Sequence, residues 1–260
     1  MRKILIAGIF LVVLVVFPTG FLFAEQNVLA AKVSTSPDID GNAIDEVWLE
    51  AQTVVTHDSV ADIDITLKAV YTDSDIFFLV IYPDADESRF HKAWVWDADL
   101  GLYKQGPSRE DVFVMKWSLH DEQIDLSVYA DSPHEADVWF WKADRTDPSG
   151  YADDKIVRLT SGELENSRPI TTKAGDTLYL QRLGDDGTSA YENTLFLEYE
   201  GDVMRHFENR EPNGSRADIK AKGLWNNGQW CIEFQRKLQT GNTDDVQFDL
   251  GKTYQFGFTV

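Results

Sequence analysis

The sequence predicts an all-β sandwich with short helices and long loops. Short runs rich in β-branched and aromatic residues recur between Gly, Asn, Asp and Pro turn signals. One run alternates apolar and polar residues, as a half-buried strand does. The next is apolar throughout, as a strand covered on both faces is. No segment holds a 3.6-residue apolar period over the length of a long helix, and no internal repeat is present.

Taken in order, Ala43 to Ala51 is the best short helix. Asn42 or Gly41 starts it, and Asp45 and Glu46 suit the positive end of its dipole. Ile63 to Tyr71 is the alternating run. Ile63, Ile65, Leu67, Ala69 and Tyr71 share one face, with Asp64, Thr66 and Lys68 on the other. Thr72-Asp73-Ser74-Asp75 turns the chain into the apolar run Ile76 to Tyr82. Val112 to Leu119, Leu178 to Leu183, Leu195 to Tyr199, Ile219 to Trp225, Gln229 to Lys237 and Tyr254 to Val260 complete the strand set. Asn226-Asn227-Gly228 reads as a hairpin turn between two of them. Strands and turns at this spacing argue for a sandwich. Tyr82 to Pro107 and Asp144 to Pro169 are polar with scattered aromatics and read as long loops, where binding function usually sits. The chain stops inside the last core-like run, which reads either as a fragment of a longer sequence or as a truncated gene product.

The N-terminus carries the marks of export. Arg2 and Lys3 precede an apolar run, Ile4 to Phe17, which resumes after Pro18–Gly20 as far as Phe23. This is a secretory signal pattern. Cutting after Ala24 puts the bulky Leu22 at the −3 position; cutting after Ala30 puts Val28 there, a better fit. Residues 1–30 are assigned to the signal and 31–260 to one domain. Left uncleaved, Ile4 to Phe23 is long enough to anchor the chain in a bilayer. In either case the domain is expected in the periplasm.

The remaining roughly 230 residues suffice for one core without a disulfide. Cys231 is the lone cysteine and sits between Trp230 and Ile232 in an alternating run, which reads as a small buried residue. A c-type haem needs the two cysteines of C-x-x-C-H and is excluded. The net charge is −20, from 24 Lys and Arg against 44 Asp and Glu. Nucleic acid wants the opposite sign. The acidic spread favours solubility and suits a basic partner surface.

Four stretches stand out. The first is Pro37-Asp38-Ile39-Asp40-Gly41 through Trp48, then Ala51. The second is Ala69 to Val80. The third runs from Asp137-Val138-Trp139-Phe140-Trp141-Lys142 through Arg145 to Asp153-Asp154. The fourth joins Gly228-Gln229-Trp230, Phe234 to Leu238 and Asp244 to Lys252. Together they resemble the ethylbenzene-dehydrogenase-type haem-binding domain, that of the haem b subunit of type II enzymes in the dimethyl sulfoxide reductase family and of related periplasmic cytochromes. The first two stretches are not specific: the Ile39-Asp40-Gly41 to Trp48 opening is similar to that of family 9 carbohydrate-binding modules, which share the sandwich. The resemblance runs from about Val33 to Val260, and the third stretch carries most of it.

The resemblance implies a sandwich holding one non-covalent haem b. It implies electron transfer with a redox partner, either molybdenum/iron–sulfur enzyme subunits or a cytochrome. Such relatives ligate iron with a Met and a Lys. The Met would lie just before the third stretch, where this chain has Asp131-Ser132-Pro133-His134-Glu135-Ala136. The Lys would lie beyond the final strand. His134, which follows Pro133 in a polar stretch, reads either as an exposed loop histidine or as the leading iron-ligand candidate. Met115, in the strand Val112 to Leu119, is a second candidate and equally a core filler. His120, His91, His57 and His206 rank below.

Trp139 and Trp141 share a strand face, as core packing or as a cofactor wall. Lys142 and Arg145 could face haem propionates, or pair with the nearby Asp144, Asp147, Asp153 or Asp154. Asp153-Asp154 and Asp38-Asp40 are oxygen-rich enough for calcium, but as solvated turns they need no ion, and calcium lacks other support.

No Gly-x-Ser-x-Gly elbow, Walker loop or His-Glu-x-x-His pattern occurs. The reading is an electron-transfer or binding subunit, not an enzyme. Two alternatives remain. One is a carbohydrate-binding module stacking sugars on Trp94, Trp96, Trp139 and Trp141. The other is a haem-less relative acting as an interaction domain.

Overall fold

Two six-stranded sheets face one another in the computed structural model, which describes residues 27–260. Residues 1–26 of the predicted signal segment, the Ala24 cleavage point among them, lie outside the described residues. Just beyond them, Val28 and Ala30 pack against the main core, and Ala31–Lys32 pairs in parallel with Val70 and Tyr71.

The first sheet runs in the order Ala31–Lys32, Ile63–Tyr71, Asp75–Pro83, Gln229–Lys237, Lys220–Asn226, with Val54–Asp58 also paired to Ile63–Tyr71. The second runs Arg168–Thr171, Thr177–Gly184, Asp153–Thr160, His134–Lys142, Val112–Ser118, Phe256–Thr259. The alternation in Ile63–Tyr71 turns Ile65, Leu67 and Ala69 inward. Its neighbour Asp75–Pro83 is apolar on both faces because both are covered. Phe78 and Val80 enter the space between the sheets, while Phe77 and Leu79 bury Trp48 on the outside. Aromatic rings fill the interior: Phe78 lies 5.8 Å from Trp139, and Phe113 lies 5.9 Å from Phe234.

The predicted hairpin forms with Asn226 opposite Gln229. Its two central residues, Asn227 and Gly228, both take positive φ, 52° and 79°, as a type I′ turn requires.

Several sequence expectations are corrected. Ala43 to Ala51 is not a helix but a single 3-10 turn, Glu46–Leu49. Only Trp48 and Ala51 are buried there, while Ile44 and Leu49 face solvent, so no apolar stripe supports further turns. Leu195 to Tyr199 is not a strand: Leu195, Leu197 and Tyr199 are exposed, and the strand stops before them at Tyr191–Asn193. The supposed loop Asp144 to Pro169 contains an interior strand of the second sheet, Asp153–Thr160. The supposed loop Tyr82 to Pro107 contains Trp94–Asp97 and Leu102–Gln105, which form a small separate sheet with Val203–Met204. Tyr254 to Val260 forms a strand at Phe256–Thr259, at a sheet edge with half-buried side chains.

The opening motif acts as a clasp. The buried Glu233 carboxylate accepts bonds from Trp48 Nε1 at 2.8 Å, Gly41 N at 2.9 Å and Asp40 N at 3.1 Å. Gly41 sits at φ +82°, and a Cβ there would come within 2.7 Å of Leu224 N.

Candidate functional site

The outer face of the second sheet carries the most unusual chemistry of the described surface. Strand alternation sends Ala136, Val138 and Phe140 outward, with Val157 and Leu159 from the next strand and Leu178 and Leu180 from the one beyond. These make an apolar floor. Register places Arg168, Leu180, Leu159 and His134 in one row across four strands, and Arg182, Val157 and Ala136 in the next. Lys116 stands opposite Val138. Val128 and Ala130, in the loop after Ser118, pack against this floor.

His134 is the first residue of its strand and is only 3% exposed, not a free loop histidine. Its Nδ1 lies 3.2 Å from the Ser132 carbonyl and its Nε2 lies 2.9 Å from Lys116 Nζ. A carbonyl can only accept, so Nδ1 carries the proton and Nε2 presents its lone pair to Lys116. Lys116 also donates to the Leu126 carbonyl at 2.6 Å. Burial, helped by Arg182, lowers the Lys116 ammonium to about 8. Burial first, and Lys116 second, lower His134. The nearby Arg158 and Lys173 are ion-paired, to Glu135 and Asp125. Lys116, Arg168 and Arg182 make no ion pair among the described residues. In so acidic a chain, three cations without counter-ions on one face are a distinct feature.

The other predicted site residues lie elsewhere. Met115 is fully buried on the inner face, opposite Trp139 and Phe258. It points away from His134 through the sheet, so these two cannot ligate one iron. Trp139 and Trp141 are also fully buried inside. Trp139 packs on Phe78 and Trp117, and Trp141 on Trp230 at 4.8 Å. Neither is a cofactor wall or a sugar platform. Trp94 and Trp96 do not extend such a platform: they pack on His206 and on Tyr103 and Tyr199.

Lys142 faces outward but is held by Asp153 and lies 3.2 Å from Tyr191 Oη. Burial works to raise the Asp153 carboxyl, yet Lys142, Lys155 and Arg216 hold it well below its ordinary range. Arg145 is ion-paired with the fully buried Glu110 carboxylate. Neither cation is free for a propionate. His91 faces Glu110 at 3.3 Å, His120 Nε2 accepts the Glu135 N–H at 3.0 Å, and His57 contacts Asp62 and Asp64 in solvent.

The two calcium suggestions also change. Asp153 faces outward and Asp154 inward, so they do not act as a pair. Asp38 and Asp40 form a turn closed by its own bonds, Asp38 N to Asp45 and Asn42 N to Asp40.

As a set for haem b, then, Met115, Trp139, Trp141, Lys142 and Arg145 do not fit. Around His134 the donor types are those an iron takes, but Lys116 Nζ is hydrogen-bonded to His134 Nε2 at 2.9 Å and would have to move aside for a metal to bind. Two nitrogen bases, both biased toward their neutral forms, meet beside an apolar floor, and two unpaired guanidinium groups lie on the same face. Sequence reasoning missed Lys116, Arg168 and Arg182. The signal for Lys116 was present: within Val112–Ser118 it alternates with Met115 and Trp117, and so falls on the face away from the core.

Comparison with curated proteins finds no match. The family described as ethylbenzene dehydrogenase matches over residues 26–260, nearly the whole chain. With this sandwich and this match, the chain belongs to the ethylbenzene dehydrogenase family.

Proposed function

We propose that this chain is an exported, non-catalytic electron-transfer subunit that holds one haem b without covalent attachment. It serves a redox partner, either molybdenum/iron–sulfur enzyme subunits or a cytochrome. The observation that carries the reading is the family match over residues 26–260, joined by two nitrogen donors, Lys116 Nζ and His134 Nε2, brought together beside an apolar floor. A buried ammonium without a counter-ion is costly, whereas a neutral amine in the same place is suited to a metal.

Haem b, when bound, supplies a one-electron couple whose potential its ligands and surroundings set. His134 is oriented by the Ser132 carbonyl, which fixes the tautomer and leaves Nε2 as donor. Lys116 would be the second donor once its hydrogen bond to His134 is given up. Arg168 and Arg182 would balance two carboxylates. Val128, Ala130 and the sheet floor keep water away. The acidic remainder of the surface, at −20 overall, would steer a basic partner face toward the chain.

The test is spectroscopic. The mature chain is expressed with haem available, and oxidised and reduced spectra are recorded. The reading expects a reducible Soret and α band, lost or shifted to high spin in His134→Ala and in Lys116→Ala. A wild-type chain with no Soret band would leave the haem-less interaction domain as the better account. An unchanged His134→Ala spectrum would remove His134 from the site.

A further inference from the structure

On the inner face of the same strand, three buried carboxylates converge, with that of Asp185 beside them. One oxygen each from Asp137, Asp154 and Asp245 lie within 4.8 Å of one another. Calcium bonds oxygen at about 2.3–2.6 Å, so oxygens sharing one ion lie at most about 5 Å apart. The three are brought together by three elements. Asp137 comes from His134–Lys142, Asp154 from Asp153–Thr160, and Asp245 from the loop after Gln229–Lys237.

A separate observation points to a ligand. Asp154 has no exposed surface, its carboxylate turns into the cluster, and neither of its oxygens has a hydrogen-bond partner. Asp185, 7% exposed, lies within hydrogen-bonding reach of Asp154 carboxyl to carboxyl, and no N–H or O–H donor from another residue meets either of its oxygens. Asp137 Oδ1 is unpartnered too. Buried carboxylates without donors are costly. The one cation in contact, Arg236, reaches only Asp137 Oδ2, at 2.6 Å. One guanidinium does not balance four carboxylates.

We propose that Asp137, Asp154 and Asp245, with Asp185 behind Asp154, bind one hard divalent cation of the calcium type. The donors are all oxygen, with no His or Cys among them, which disfavours zinc and copper. The setting is dry, which disfavours magnesium, an ion that keeps its waters. The bound ion would tie the loop carrying Asp245 and Val246 to the second sheet. Val246 N already donates to Asp137 Oδ2 at 3.0 Å. The site is independent of the haem reading, which concerns the other side of the sheet.

The test uses the mature chain stripped of metal. Terbium chloride is titrated while luminescence sensitised by tryptophan is followed; Trp139 Nε1 lies 3.3 Å from Asp137 Oδ2. Calcium chloride is then added as competitor, and thermal melts are run with and without it. The proposal expects one saturable terbium site, displaced by calcium, and a calcium-dependent rise of several degrees in melting temperature. Asp154→Asn should fold, melt independently of calcium and lose the luminescence. Asp38→Asn, in the exposed turn, should keep both responses. A wild-type chain with neither saturable luminescence nor a melting shift at millimolar calcium would overturn the proposal. So would an Asp154→Asn variant that keeps both.

Discussion

Arg236 and Asp137 join the two sheets through the middle of the sandwich: Nη1 lies 2.6 Å from Oδ2, and neither side chain has exposed surface. Arg236 also donates to the Val246 carbonyl and lies over the Trp139 ring, 4.8 Å from its centroid. One side chain thus serves a strand of each sheet and the loop between Leu238 and Phe248.

Removing this cation should be severe. Arg236→Met leaves Asp137 buried without its partner, and such a loss costs about 3–5 kcal/mol. Urea denaturation should show a lower midpoint with an unchanged slope. Adding Asp137→Asn to Arg236→Met should recover part of the loss, because the orphaned charge goes with it. A double variant as unstable as the sum of the singles would show that the pair is not coupled.

The Lys142–Asp153 pair predicts a particular acid response. The Asp153 carboxyl is depressed below its ordinary value of 3.8. Its contribution is therefore fully present above that value and fades as pH falls through the lower folded-state value. Asp153→Asn should cost about 3–5 kcal/mol at neutral pH by leaving Lys142 buried alone. The gap between variant and wild type should narrow steadily below about pH 4. Urea melts at a series of pH values test this; a gap that widens in acid would contradict it.

Two glycines with positive φ should behave differently. Gly41→Ala meets both an unfavourable φ and the Leu224 backbone nitrogen at 2.7 Å. Gly101→Ala, at φ +61°, meets nothing within 4 Å. The second should cost about 1 kcal/mol from conformation alone, and the first distinctly more. Thermal melts of the two variants side by side decide whether close approach matters in the clasp.

Cys231 should be inert in the folded chain. Burial pushes its thiol up to about 11, with Glu233 and Asp40 adding to the effect. Little thiolate forms at mildly alkaline pH. Reaction with a thiol reagent at pH 8 should be slow in buffer and fast in urea. Equal rates would mean that the Trp230–Ile232 segment opens readily.

Much of the sandwich was legible because its strands announce their faces. Ile63 to Tyr71 alternates, Ile76 to Tyr82 is apolar throughout, and Asn227-Gly228 is a turn that few other conformations accept. Asp153–Thr160 was hidden because it opens with two aspartates and carries Lys155 and Arg158. Asp153 is accommodated in an interior strand by Lys142 and Arg216, and Arg158 by Glu135, all distant in sequence. Leu195 to Tyr199 misled in the opposite sense, since its apolar residues look like a strand yet point into solvent. At the site, His134 was visible as a ligand type, but its partner was not. Lys116 lies 18 residues away, and only the register between neighbouring strands brings it across. The Trp139–Trp141 pair stood out for its composition, but its role is packing.

The strand His134–Lys142 divides its labour by parity. Odd positions such as Asp137, Trp139 and Trp141 hold the interior, and even positions such as His134, Ala136 and Val138 form the outer floor. A point substitution on one side leaves the other untouched, so ligand chemistry on the floor can drift through evolution without putting the fold at risk. A deletion of one residue has the opposite effect: it exchanges the two sides at once, turning tryptophans out and the histidine in. This stretch should therefore tolerate changes of letter and reject changes of length.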